Sequence, residues 1–179
     1  MIRSTTILTA ADVDRLSQLY LFREVPRAAL ESLALSAITV RFAEGDTVFQ
    51  QGTPADVALL LAEGRLTVHV LGPQGADRLL GELRPGEVVG EQALLMSGAT
   101  RSATVRAAEP CAGLLLSREL LERGQQNPAV VAIEQHLIAS LVRRIRKTNQ
   151  TIQGVWKAEA APAPQPRSLG ERLRALFGA

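Results

Sequence analysis

Turn signals at short, regular intervals through the middle of the chain constrain its fold more than any other feature. Glu44-Gly45-Asp46, Gly52-Thr53-Pro54, Glu63-Gly64, Gly72-Pro73-Gln74-Gly75 and Pro85-Gly86 leave only short apolar runs between them. Leu66, Val68 and Val70 alternate with Arg65, Thr67 and His69, and Ile38, Val40 and Phe42 alternate with polar neighbours before the first turn. A period of two is the signature of a half-buried strand. Short strands with regular turns predict a β-sandwich or barrel.

Helical periods flank this region. Val13, Leu16, Leu19 and Tyr20, then Leu30, Leu33 and Ala34, recur at helical spacing, with Pro26 suited to open the second helix. Helix returns after Ser117, an N-cap residue type, and again at Asn127-Pro128, an N-cap followed by proline at the first helical position. The last helix is long. Val130, Leu137, Leu141, Ile145, Thr148, Ile152 and Val155 form one stripe along it, as in a helix that packs along a partner helix. The alternative is a helix lying on its own β-domain.

A proline linker follows, Ala160 to Pro166. Beyond it Ser168 and Glu171 match a capping box, and Leu169, Leu173, Leu176 and Phe177 fall on one face. So short a helix is marginal alone in water. It reads as a segment ordered on a partner or membrane surface, or docked on its own domain. The expected organisation is a helical lead-in over 1–37, a β-roll with a short following helix over 38–126, a long helix over 127–159, a linker over 160–167 and an amphipathic tail helix over 168–179.

Composition narrows the function classes. The chain has 179 residues, 46% hydrophobic, which is enough for one domain with a core and extensions. The single cysteine, Cys111, excludes an internal disulfide and fits a reducing cytoplasm. Met1 to Ala11 lacks the apolar core of a signal peptide, and runs such as Val57 to Ala62 are too short to cross a bilayer, so a soluble protein is expected. The only histidines, His69 and His136, fall on different elements, so no zinc or iron ligand set forms. No spacing of nucleophile and base rises above background. The chain is expected to be no enzyme and to carry no cofactor. The basic cluster Arg143, Arg144, Arg146 and Lys147 reads as a solvated helix face.

One stretch carries chemistry: Gly90-Glu91-Gln92-Ala93-Leu94-Leu95, then Arg101-Ser102-Ala103-Thr104-Val105. It reads as a strand end, a helical turn anchored by Ala93-Leu94-Leu95, a glycine bend and a strand restart. Amides at the start of such a turn form an anion site. Arg101 adds a forked cation for a phosphate, and Glu91 an acceptor for hydroxyl donors. Together these parts suit a sugar phosphate.

The stretch resembles the phosphate-binding cassette of cyclic-nucleotide-binding domains of the catabolite activator protein type. The likeness extends in order and spacing through Leu21-Phe22, Gly45-Asp46, Val48-Phe49-Gln50-Gln51-Gly52, Glu63-Gly64 and Pro85-Gly86, from about residue 14 to 155. It implies a jelly-roll-like β-roll flanked by helices, with a long C-terminal dimerisation helix. It implies that Glu91 accepts the ribose 2′-hydroxyl, that Arg101 pairs with the cyclic phosphate, and that amides at Ala93 and Ser102 face the phosphate, with Gly90 permitting close backbone approach. Gln92 and Ala103 complete the implied ligand-binding segment. Arg143 to Asn149 resembles the family's dimer helix, which implies base contacts at Thr148 and Asn149. Two departures lie in the bend: Thr100 stands where proline is usual, and the loop is one residue longer than in many members.

The implied function is a stand-alone cyclic-nucleotide sensor, with cyclic AMP favoured over cyclic GMP. It would act as a homodimer, with a protein partner at the tail and no membrane. No recognition helix fits the tail, so sequence-specific DNA binding is not expected. A nucleotide-free dimeric scaffold and a cyclic di-GMP effector of the same fold are the alternatives.

Overall fold

The structure is a computed structural model, and it describes residues 10–72 and 75–159. The tail residues Leu169, Leu173, Leu176 and Phe177, and the linker before them, lie outside the described residues. The chain divides into two compact units, residues 1–139 and 140–179.

In the first unit, α1 (Ala10–Gln18), a 3₁₀ turn (Tyr20–Phe22) and α2 (Arg27–Ser36) precede eight strands among the described residues. These are β1 (Ile38–Phe42), β2 (Thr47–Phe49), β3 (Val57–Glu63), β4 (Leu66–Leu71), β5 (Asp77–Leu83), β6 (Val88–Val89), β7 (Thr104–Ala107) and β8 (Cys111–Ser117). Helix α3 (Gln92–Leu95) interrupts them between β6 and β7, and α4 (Arg118–Arg123) follows β8. Two four-stranded antiparallel sheets result, in the orders β1-β8-β3-β6 and β2-β7-β4-β5. This is the predicted β-roll. Pro26 stands at the cap position, one residue before α2, rather than within its first turn.

The first sheet is buried on both faces, and this explains the unbroken apolar run of β3. Leu59 and Leu61 face the second sheet and pack with Val40, Phe42, Phe49, Leu66 and Val105. Ala58 and Leu60 point the other way, into a core with Leu16, Phe22, Leu30, Leu33 and Ile133. Strand β8 alternates likewise, Leu115 inward between the sheets and Leu116 toward the helices. A sheet sandwiched between layers needs apolar residues on both sides, and each such buried leucine contributes about 1.5–3 kcal/mol. In the second sheet, β5 is an edge strand with Leu79 and Leu80 exposed. The alternation in β1 is less regular than the sequence predicts: Ile38 is exposed at the strand's start, and Thr39 is buried beside Asp12 and Leu16 instead.

Both predicted caps form. Ser117 Oγ accepts from the Leu120 amide at 3.1 Å, and Asn127 Oδ1 from the Ala129 amide at 2.8 Å. Helix α5 (Pro128–Glu159) begins within the first unit. The stripe along it does not behave as one surface. Ala129, Val130, Ile133 and Leu137 are buried in the core of their own domain, so here the helix lies on the β-roll. Further along, Ile145 and Ile152 are exposed, together with Val142 and Trp156, which the stripe omits. No described helix is long and apolar enough to cross a membrane.

Candidate functional site

The cassette folds from both ends of a bend. Strand β6 stops at Gly90, whose φ of +78° lies in the left-handed region that favours glycine. Glu91 follows in right-handed helical geometry and leads into α3. Ala93 and Leu94 are buried and hold the turn on the core, whereas Leu95 is exposed, so the expected three-residue anchor is two residues long. Beyond Gly98, Thr100 bridges to Pro54. The Arg101 amide donates to the Thr53 carbonyl at 2.8 Å, and the Gly52 amide donates to the Arg101 carbonyl at 2.8 Å. The backbone of Arg101 is thereby fixed on the Gly52-Thr53-Pro54 turn.

The side chain of Arg101 is the unusual group of this region. It is 7% exposed, yet its Nη1 has no hydrogen-bond partner. The nearest carboxylate, Asp56, stands 4.0 Å from Nη2 and is itself 89% exposed. A carboxylate in that much water screens weakly. Burial pushes the guanidinium below its ordinary pKa, and Asp56 opposes that shift. The guanidinium carbon lies 3.6 Å from the centroid of the Phe49 ring. A buried cation without its hydrogen bonds is costly, and an anion that supplies them offsets that cost.

Gly90 borders this cation. A Cβ at Gly90 would stand 2.4 Å from Arg101 Nη1 and 3.1 Å from the Phe49 ring. The structure thus brings Gly90 and Arg101 together, with Phe49 as a third member the sequence reading did not assign. Phe49 carried an available signal: it ends a strand with its turn, Gln50-Gln51-Gly52, leading to the segment that holds Arg101.

Glu91 is buried and makes no capping bond through its side chain to α3. Gln92 and Ser102 are exposed, and Ala103 is half-buried. The Ala93 amide does not face outward as expected. It donates to the Gly90 carbonyl at 3.0 Å, and the Leu94 amide donates to the Glu91 carbonyl at 3.0 Å. So short a helix closes its first turn with tight i→i−3 bonds, which occupy the amides a longer helix would leave open. Thr148 and Asn149 lie on exposed turns of α5, outside the compact unit that carries the cassette.

The two histidines and the cysteine have partners away from this site. His69 Nδ1 bonds Asp77 at 3.0 Å, and His136 Nδ1 bonds the Tyr20 hydroxyl at 2.9 Å. Cys111 Sγ lies 3.2 and 3.1 Å from the carbonyls of Arg65 and Glu109, and burial raises its pKa, away from the reactive thiolate. Among the described residues, no three His, Cys, Asp or Glu side chains converge as a metal site would require.

The family described as "Cyclic nucleotide-binding domain" matches residues 39–127. The chain is 26% identical over 132 residues to a "CRP-like cAMP-activated global transcriptional regulator" of Mycobacterium tuberculosis, covering 74% of this chain and 58% of that protein. Among solved structures, a "cAMP-binding acyltransferase from Mycobacterium smegmatis" superposes with a TM-score of 0.55 at 32% identity, covering 63% of this chain and 34% of that one. The Catabolite Activator Protein of Thermus thermophilus superposes with a TM-score of 0.64 at 28% identity, covering 75% and 62%. The chain spans about half the length of the first curated relatives it matches.

Proposed function

This chain belongs to the cyclic nucleotide-binding domain family, of the catabolite activator type, and from that premise we propose that it is a cyclic AMP sensor. The observation that carries the reading is Arg101, a buried cation with an unpartnered nitrogen beside a glycine whose added Cβ would stand 2.4 Å from it. The cyclic phosphate supplies the acceptor oxygens. Glu91 takes the ribose hydroxyl. Cyclic AMP is favoured over cyclic GMP and cyclic di-GMP because two of the relatives above are named for cyclic AMP. The base contacts assigned to Thr148 and Asn149 rest on the resemblance alone.

The sensor works as a homodimer through α5, a reading supported by the exposed Val142, Ile145, Ile152 and Trp156 on that helix. Apolar side chains in such number on one exposed helix fit burial against another chain. Its output runs through protein contacts, with residues 168–179 as the contacting segment. Signalling requires that cyclic AMP bind two arrangements of the dimer with different affinity.

Calorimetric titration with cyclic AMP, cyclic GMP and cyclic di-GMP, on protein stripped of bound nucleotide, tests the reading. Saturable binding of cyclic AMP is expected. Arg101→Ala should weaken it by about a hundredfold or more, since it removes a buried charge-assisted bond. Glu91→Ala should weaken it by about tenfold or more, through loss of a hydrogen bond to a charged group. Sedimentation in the same buffer should give the mass of two chains, and a single-chain mass would refute the dimer. No heat from any ligand would leave the nucleotide-free scaffold as the reading.

A further inference from the structure

The Arg101 guanidinium has an aromatic face where a buried cation ordinarily has a carboxylate. We infer that Phe49 is a positioning residue for phosphate recognition, holding the Arg101 cation by its π face so that the in-plane N–H donors stay available to the ligand. The inference rests on the cyclic nucleotide reading of the same site.

The chemistry distinguishes two ways of keeping an arginine charged in a dry place. A carboxylate does so through the guanidinium N–H fork, the same donors a phosphate needs, and it cancels the charge that draws the anion. A phenyl ring does so through its negative face, perpendicular to those donors. At 3.6 Å from guanidinium carbon to ring centroid, Phe49 is within cation–π range. Asp56, at 4.0 Å and largely in water, leaves the fork unfilled, as the orphaned Nη1 records.

The ring is held independently of the arginine. Phe49 closes β2, is buried, and packs in the core between the two sheets. Its slot is bounded by Gly90, where an added Cβ would strike Nη1 at 2.4 Å and crowd the ring at 3.1 Å. The guanidinium therefore lies between Phe49 and Gly90, on a backbone fixed by its bonds to Gly52 and Thr53. An aliphatic side chain at position 49 would fill the same core volume. It would not present a negative face.

The test separates the ring's electronics from its size. Phenylalanines carrying one, two and three ring fluorines are placed at position 49 of the full chain, and cyclic AMP affinity is measured by calorimetry. Fluorine withdraws π density with little change of shape. Affinity should fall stepwise with each fluorine, by about tenfold in total, which corresponds to ~1.4 kcal/mol. Phe49→Leu should lose a similar factor, and Phe49→Tyr should restore affinity to within about twofold of the wild type. A core-packing role alone predicts a flat fluorine series. Flat affinity across that series, with the wild type binding normally, overturns the inference and leaves the cyclic nucleotide reading standing. Absence of binding in the wild type overturns that reading, and this inference with it. Should Phe49→Leu fail to fold, the fluorinated series still decides.

Discussion

Asp12 and Arg101 are withdrawn from water to the same degree, each 7% exposed, and the protein treats them in opposite ways. Asp12, in the first turn of α1, receives Arg15 Nη1 at 3.0 Å and Arg41 Nη2 at 2.7 Å. The Arg41 bond ties the helical lead-in to strand β1, and the Arg15 bond lies within α1. Arg101 is buried with one nitrogen unpartnered and an exposed carboxylate at the edge of reach. The first charge is satisfied within the fold and stabilises it. The second is kept unsatisfied at a cost to the fold, and on the proposed reading an anion offsets that cost. A buried charge with its partners present is a structural joint, and one whose partners are missing is a candidate for a binding site.

Three substitutions sharpen this contrast. The largest effect belongs to Gly90→Ala. At a φ of +78° an alanine is strained, and its Cβ falls 2.4 Å from Arg101 Nη1. The guanidinium must move, so cyclic AMP affinity should drop by at least about tenfold, with ~1–2 kcal/mol lost from stability. Titration and thermal unfolding read both, and unchanged affinity would mean that the guanidinium position does not matter.

Asp12→Ala comes next. It takes the carboxylate from Arg41 and leaves Arg15 with Glu63, and both arginines are partly solvated and can rehydrate, so unfolding stability should fall by about 1–3 kcal/mol. Nucleotide affinity should stay within about twofold, because the two regions share no partners. A large affinity change would erase the division between structural and ligand-binding charge.

The smallest effect is on the stability of Arg101→Met without ligand. The replacement keeps the side chain long and removes an ill-paired buried cation. Chemical denaturation should show stability unchanged or raised by up to ~1 kcal/mol. A loss of more than ~2 kcal/mol would show that the arginine is already well satisfied in the empty protein.

Much of the fold was legible because local patterns carry it. The turn signals delimit real strands, and the caps at Ser117 and Asn127 start real helices, since a cap is a bond between near neighbours. The α5 stripe was legible only in part. Periodicity shows that Val130 and Ile145 share a face, but it does not say what covers that face. Val130 is covered by its own core, and Ile145 is exposed.

The sequence by itself determined the two-period architecture and the chemical parts of the candidate site, Gly90, Glu91 and Arg101, because these lie in one contiguous stretch with its own spacing. Tertiary structure alone decided the state of those parts. It set the Phe49 ring, more than fifty positions before Arg101, against the guanidinium, and it left Nη1 without a partner. The physical reason is range. Strand period, turns and caps are fixed by neighbours along the chain, whereas the burial and pairing of a charge depend on which distant elements the sheets bring into contact with it.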